Sequence, residues 1–157
     1  MSTTIGGNFP EEIKDWMNEQ FKSANAVELN DNFYIHGLQA AKALGYKDSS
    51  VIEELDRKDK LEIPMDLWKE WIRKGETDFH TPNGIHVNLL NTTKQIPDDL
   101  TFISFPALTD MILNSNKRNT KVFKRWVFKE VIPSVNVFGA YMTPKAIEHV
   151  EQTGQLP

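Results

Sequence analysis

Turn and helix-end signals divide this chain into short segments, and the short length of these segments limits what it can fold into. Asn30-Asp31-Asn32 and Pro82-Asn83-Gly84 each separate two strand-like stretches, which predicts two hairpins. Gly45 and Gly75 each follow a stretch with helical periodicity, a position that suits glycine at a helix end. The 157 residues fit one domain. Because no long strand–helix–strand unit is present, we predict a single α+β domain, helix-rich with short strands and hairpins.

The expected elements follow from apolar periodicity and from these signals. Helices are expected over residues 10–22, 36–44, 64–74, 106–114, 120–131 and 143–152. Ser50 followed by Glu53 resembles a capping box for a further helix of about eight residues. Strands are expected over 27–29, 33–35 and 101–104, and in a hairpin within 77–90. We expect a flexible lead over 1–10, the domain over 11–142 with an insertion-like part at 59–98, and a C-terminal helix and end over 143–157.

Positive charge is concentrated in one part of the sequence. The stretch from Met111 to Lys129 holds six basic residues and no acidic residue: Lys117, Arg118, Lys121, Lys124, Arg125 and Lys129. The formal charge of the whole chain is −4, and it becomes −10 when these six positive charges are left out. A basic helix on an acidic body is typical of a surface that meets an anion, and nucleic acid is the first candidate.

A helical wheel assigns two faces to residues 120–131. At about 100° per residue, one face holds the apolar side chains Val122, Phe123, Trp126, Val127 and Val131. We expect this face to be buried against Leu108, Met111 and Ile112 of the preceding helix. The basic residues fall on the opposite arc. The alternative is an ordinary solvated face, but such faces usually mix the two signs of charge.

Two residues depart from this wheel. Phe128 falls on the basic arc, so it is either covered by another element or exposed to a partner. Glu130 falls on the apolar arc, where an unpaired charge would be costly. We therefore predict that Glu130 is buried and that its carboxylate accepts hydrogen bonds from buried donors.

The sequence offers no support for catalysis. It contains no cysteine, phosphate-binding glycine loop or nucleophile elbow, and we predict no catalytic residue, metal site or cofactor. His80 and His86 lie on opposite arms of the second predicted hairpin, where a metal pair is conceivable, but ordinary surface histidines are favoured. No secretory signal or membrane-length apolar run is present, so we predict a soluble protein of the cytoplasm.

Several blocks of the sequence resemble a known family. They are Phe33-Tyr34-Ile35 with 40–46, then 101–104, 108–115, 123–134 and Gly139-Ala140-Tyr141-Met142. Together they resemble the BRO-N domain, the N-terminal domain of baculovirus BRO proteins and of many phage and prophage antirepressors. The most specific block is Phe123-Lys124-Arg125-Trp126-Val127 followed by Glu130-Val131-Ile132-Pro133-Ser134.

The resemblance implies a regulatory protein of phage or prophage origin, acting in the host cytoplasm without catalysis. One hypothesis is that the six basic residues bind duplex DNA and control transcription. The alternative is an antirepressor that binds and inactivates a phage repressor protein. The acidic body fits this alternative, because acidic surfaces suit basic DNA-binding proteins. A third hypothesis is a nuclease, but this sequence lacks carboxylates at a spacing recognisable as a metal site. The possibility of a homo-oligomer stays open.

Overall fold

The structure, a computed structural model, describes residues 9–131. The helix expected at 143–152 lies outside the described residues. Six strands form one antiparallel sheet in the order β3–β6–β2–β1–β5–β4. The strands are β1 Ala26–Leu29, β2 Asn32–His36, β3 Lys60–Glu62, β4 Asp78–His80, β5 His86–Asn91 and β6 Thr101–Ser104. The helices are α1 Glu11–Gln20, α2 Gly37–Ala43, α3 Ser50–Glu53, α4 Met65–Arg73, α5 Phe105–Asn114 and α6 Lys121–Trp126.

Both predicted hairpins are confirmed. Asn30 and Asp31 connect β1 to β2 with positive φ angles of 49° and 68°, as a two-residue hairpin turn requires. Asn and Asp tolerate this conformation better than other residues with side chains. In the second hairpin, between β4 and β5, Gly84 has a φ of 90°. Local turn chemistry therefore determines where the chain reverses.

The sheet is covered on both faces, which confirms the α+β class. Ala26, Ile35 and Ile103 belong to the apolar cluster shared by α1, α2, α5 and α6. Val27, Val87 and Phe102 belong to a second cluster, which contains the buried Trp68 and Trp71 of α4. Because neighbouring residues of a strand point to opposite faces, each strand contributes to both layers. The basic segment, residues 117–129, and α4 consequently lie on opposite sides of the sheet.

Two local predictions around residues 50–62 differ from the structure. The capping box at Ser50 is wrong, because α3 is only four residues long and Ser50 is its first helical residue. Asp48 accepts hydrogen bonds from the backbone N–H and the hydroxyl of Ser50, at 3.0 and 2.6 Å. Strand β3 was not predicted. It is an edge strand with charged Lys60 and Glu62 around Leu61, a composition typical of protected edges.

Residues 59–98 contribute to the same sheet as the rest of the domain. They supply α4 and three strands, namely β3 and β4 at the two edges of the sheet and β5, which pairs with β1. Residues 1–8 lie outside the described residues. Phe9, which the sequence places in the lead, packs its ring against Phe105 and Trp126, with centroids 5.5 and 5.0 Å apart.

The two hairpin histidines face each other across β4 and β5. His80 pairs with His86 in the register, and their rings stack with centroids 4.7 Å apart. The His86 Nε2 lies 2.5 Å from Oδ1 of Asp78. Hydrogen bonding to Asp78 raises the pKa of His86, and the negative charges of Asp78, Asp31 and Glu28 raise it further against the opposing effect of burial.

This ion pair predicts a pH-dependent stability. Because the pKa of His86 is raised in the folded state, the pair stabilises the fold fully at pH values below the pKa of about 6.5 that histidine has in the unfolded chain. The contribution is lost as the pH rises through the raised pKa. Asp78→Asn should therefore lower the melting temperature more at mildly acidic pH than at pH above the raised pKa, and should return the NMR-measured pKa of His86 toward its ordinary value. An equal loss at every pH would contradict this assignment.

Candidate nucleic-acid interface

The basic segment begins where α5 ends. The side chain of Ser104 caps the start of α5 by accepting from the backbone N–H of Ala107 at 3.3 Å, and Pro106 lies in the first turn. After α5, residues Arg118–Thr120 form a 3₁₀ turn that leads into α6. The hydroxyl of Thr120 donates to the carbonyl of Lys117 at 2.6 Å. A π-helical turn, Val127–Val131, continues α6.

Most of the apolar face of this segment is buried as predicted. Phe123 and Val127 are buried in one cluster with Leu108, Met111 and Ile112 of α5. Val122 and Trp126 are half-buried against the same cluster, so Trp126 is more exposed than the wheel suggested. The side chain of Val131 lies outside those that the structure describes.

The prediction for Glu130 is wrong. Glu130 is exposed, whereas Phe128 is covered, with 4% of its surface accessible. The wheel assumed a regular α-helix, but the π turn closes i→i+5 hydrogen bonds and turns each residue through a smaller angle. Phe123 and Phe128, five residues apart, therefore both face the core. Glu130 moves outward, beside Val122 and Trp126.

Lys124 is also placed differently from the prediction. The sequence put it on the exposed basic arc, but only 3% of Lys124 is accessible to solvent. Its ammonium donates a hydrogen bond of 2.7 Å to the carbonyl of Ser115 at the end of α5. A lysine can take this position because its long apolar stem packs in the core while its head group reaches a polar partner.

The Lys124 ammonium belongs to a junction that joins the ends of α2 and α5. The Ser115 hydroxyl donates to the carbonyl of Leu44 at 2.7 Å, and Lys117 Nζ donates to the carbonyl of Ala43 at 2.8 Å. These contacts satisfy carbonyl groups that helix ends leave without partners. Burial lowers the pKa of the Lys124 ammonium, and the positive charge of Lys121 lowers it further. Lys124 is therefore a structural residue.

We expect Lys124→Ala to lower the free energy of unfolding by about 1–3 kcal/mol, because it leaves the buried Ser115 carbonyl without its donor. The matched exposed variant Lys121→Ala should change the free energy of unfolding by less than about 0.5 kcal/mol. Chemical denaturation of both variants measures the difference. Equal stabilities would contradict the structural role of Lys124.

The other five predicted residues lie on the surface. Lys117, Arg118, Lys121, Arg125 and Lys129 are all exposed. Lys121, Arg125 and Lys129 follow each other at intervals of four residues, and all three line the same groove. We call these three residues the basic row. The structure thus places five of the six predicted cations on the surface and brings three of them together along one groove, whereas Lys124 is buried.

The groove beside the basic row was not predicted from the sequence. It lies between α6 and the start of α1, has a volume of about 490 Å³, and is lined by Pro10, Glu12, Lys121, Val122, Arg125, Trp126, Lys129 and Glu130. Pro10, Val122 and the half-buried Trp126 give it an apolar floor, and Glu12 adds a carboxylate from another element. No local signal joins residues so far apart in the sequence.

Two other kinds of feature are absent from the described part of the chain. Within residues 9–131, no three His, Asp or Glu side chains come together as metal ligands. No helix in the same range has the length and apolar character needed to cross a membrane.

Comparison with known proteins identifies the family. The family model described as the BRO family, N-terminal domain, matches residues 23–133, which is well over half of the chain. The chain belongs to the BRO family. The matched range takes in the whole sheet, α2 to α6 and all six predicted basic residues. At the level of the family, this makes it a regulatory type of domain.

One curated protein matches part of the chain. An uncharacterized protein of Haemophilus influenzae is 34% identical to this BRO-family chain over 62 residues. The match covers 40% of this chain and 31% of that protein, so the chain spans about a third of that relative's length. No solved structure matches.

Proposed function

We propose that this BRO-family domain binds duplex DNA through the exposed cations of residues 117–129. The observation that carries the proposal is the surface position of five cations in a stretch with no acidic residue. When lysine and arginine on such a surface bind phosphate groups, counterions are released from the DNA. This release supplies most of the affinity of non-specific binding. The geometry supports contacts to the DNA backbone, which position a protein but do not read sequence.

The basic row is the centre of the proposed interface. Its three side chains project from α6 and its π turn, which are held on α5 by Phe123, Val127 and Phe128. Lys117 and Arg118 extend the row at the preceding loop. The ammonium of Lys117 is already bonded to Ala43, but it has three donor hydrogens, so a phosphate contact does not require this bond to break.

The antirepressor function is the second candidate. Two observations favour it: the formal charge of −10 outside the six basic residues, and the presence of Glu12 and Glu130 in the groove beside the basic row. Carboxylates at this place repel phosphate groups and attract a basic protein. The half-buried Trp126 adds an apolar contact of the kind that anchors protein interfaces.

One pair of experiments separates the two candidates. Fluorescence anisotropy with a labelled random-sequence duplex should show binding at low salt that weakens steeply as the salt concentration rises. A pull-down with purified phage repressor proteins tests the alternative. DNA binding without repressor capture supports the proposal. Repressor capture with no DNA binding at low salt would replace it with the antirepressor function.

A further inference from the structure

The exposed side of α1 carries a row of carboxylates. Glu11, Glu12, Asp15 and Glu19 are all exposed, and at about 100° per residue they fall within an arc of about 100°. Their ion pairs are local: Lys14 lies 3.6 Å from Glu11, and Lys22 lies 3.0 Å from Glu19. Like charges four residues apart destabilise an isolated helix. We call these four residues the acidic row.

The acidic row lies beside the basic row. Helix α1 packs on α6 through the rings of Trp16 and Phe123, with centroids 5.6 Å apart. Of the acidic row, Glu12 lines the groove from α1, whereas the basic row and Glu130 line it from α6 and its π turn. Within residues 9–131, no carboxylate forms an ion pair with Lys121 or Arg125. Lys121 and Arg125 thus lie beside a helix that carries a row of carboxylates, without an ion pair to any of them in the described part of the chain.

We propose that this two-row patch binds a second copy of the same chain. A two-fold axis that runs along the groove places the acidic row of each copy opposite the basic row of the other. Such an interface is self-complementary, as the common symmetric dimers are. The apolar floor of each groove, with Trp126, then meets its counterpart near the axis, where tryptophan and arginine contribute most to binding.

The second copy fits this patch better than other occupants because it complements both rows. DNA, or an acidic peptide, matches the basic row but repels the acidic row. A basic peptide matches the acidic row but repels the basic row. A second copy supplies one row of each sign and an apolar surface at the centre. The dimer does not depend on the proposed DNA binding, but it covers the same basic row, so dimerisation and DNA binding should exclude each other.

Charge reversal tests the pairing. We choose an acid-reversed variant, Glu12→Lys with Asp15→Lys, and a base-reversed variant, Lys121→Glu with Arg125→Glu. Sedimentation velocity of the wild-type chain at low salt should show a concentration-dependent dimer. Each variant alone should associate at least about 100-fold more weakly, because like charges then face each other. An equal mixture of the two variants should form a heterodimer with affinity near the wild-type value.

Matched controls use α4, on the other side of the sheet. Asp66→Lys with Glu70→Lys, and Lys69→Glu with Arg73→Glu, make the same charge changes at exposed positions. Both should dimerise as the wild-type chain does. Circular dichroism of each variant is the test that it is folded.

Three results would overturn the proposal: a wild-type chain that stays monomeric at low salt, a dimer that survives both reversals, or a mixture of the two folded variants that stays monomeric. Capture of an acidic peptide by a monomeric wild-type chain would identify a different occupant. The DNA proposal is tested separately, because the acid-reversed variant keeps the basic row. It should bind DNA at least as well as the wild-type chain if the DNA proposal holds.

Discussion

Replacing Phe123 with alanine should lower the free energy of unfolding by about 3–5 kcal/mol, the usual cost of removing a large aromatic side chain from a core. Only 1% of Phe123 is accessible to solvent. Its ring lies within 5.6 to 6.4 Å of the rings of Trp16, Trp126 and Phe9, measured between centroids. Its removal leaves a cavity where α1, α6 and residue 9 meet.

Equilibrium denaturation measures this loss. Phe123→Leu, which keeps most of the volume, is the matched control and should cost considerably less. Trp126→Ala should also cost less than Phe123→Ala, because Trp126 is half-buried. A loss below about 1 kcal/mol for Phe123→Ala would contradict the packing of α6 on α1.

Loss of the basic row should weaken DNA binding strongly. We expect the triple variant Lys121→Ala, Arg125→Ala and Lys129→Ala to bind a duplex about 10²–10³-fold more weakly at about 0.1 M salt, since each phosphate contact contributes about 0.9 to the salt exponent. These side chains are exposed, so the variant should stay folded. Lys124 is left in place because it supports the fold.

The matched control is the variant Lys69→Ala, Arg73→Ala and Lys74→Ala, on α4 and at the residue that follows it. It removes the same amount of positive charge from exposed positions across the sheet. A general effect of net charge would weaken DNA binding equally in both variants. A local interface predicts that the α4 variant binds almost as the wild-type chain does.

The sequence predicted most elements because their signals are local. Asn30 and Asp31 supply the backbone conformation that one hairpin turn needs, and Pro82-Asn83-Gly84 supplies the other. Apolar periodicity predicted the helix over 64–74, which the structure confirms as α4 with Trp68 and Trp71 buried. Strand β3 could not be predicted in this way, because a short edge strand with charged residues looks like a loop until β6 pairs with it.

The candidate site was predicted less completely because its shape depends on contacts between distant segments. The wheel gave the exposed position of Lys121, Arg125 and Lys129 but assumed a regular helix. It therefore missed the π turn that exposes Glu130. It also treated every lysine as a surface residue, whereas Lys124 finds a carbonyl of Ser115 within the fold.

The groove could not be predicted from the sequence for a similar reason. It forms only when α1 packs on α6, and these helices are separated by most of the domain. The regular spacing of Glu11, Asp15 and Glu19 is visible in the sequence. What the sequence does not give is the position of that acidic row beside the basic row.

The salt dependence of duplex affinity tests the central claim most directly. If about four of the exposed cations contact phosphates, the slope of log K against log salt should be about −3.6 for the wild-type chain, and the basic-row variant should flatten it by about 2.7. Lys124→Met should leave the slope unchanged, because its ammonium is bonded to Ser115 and not exposed. Equal slopes for the wild-type chain and the basic-row variant, or no binding at low salt, would contradict the account.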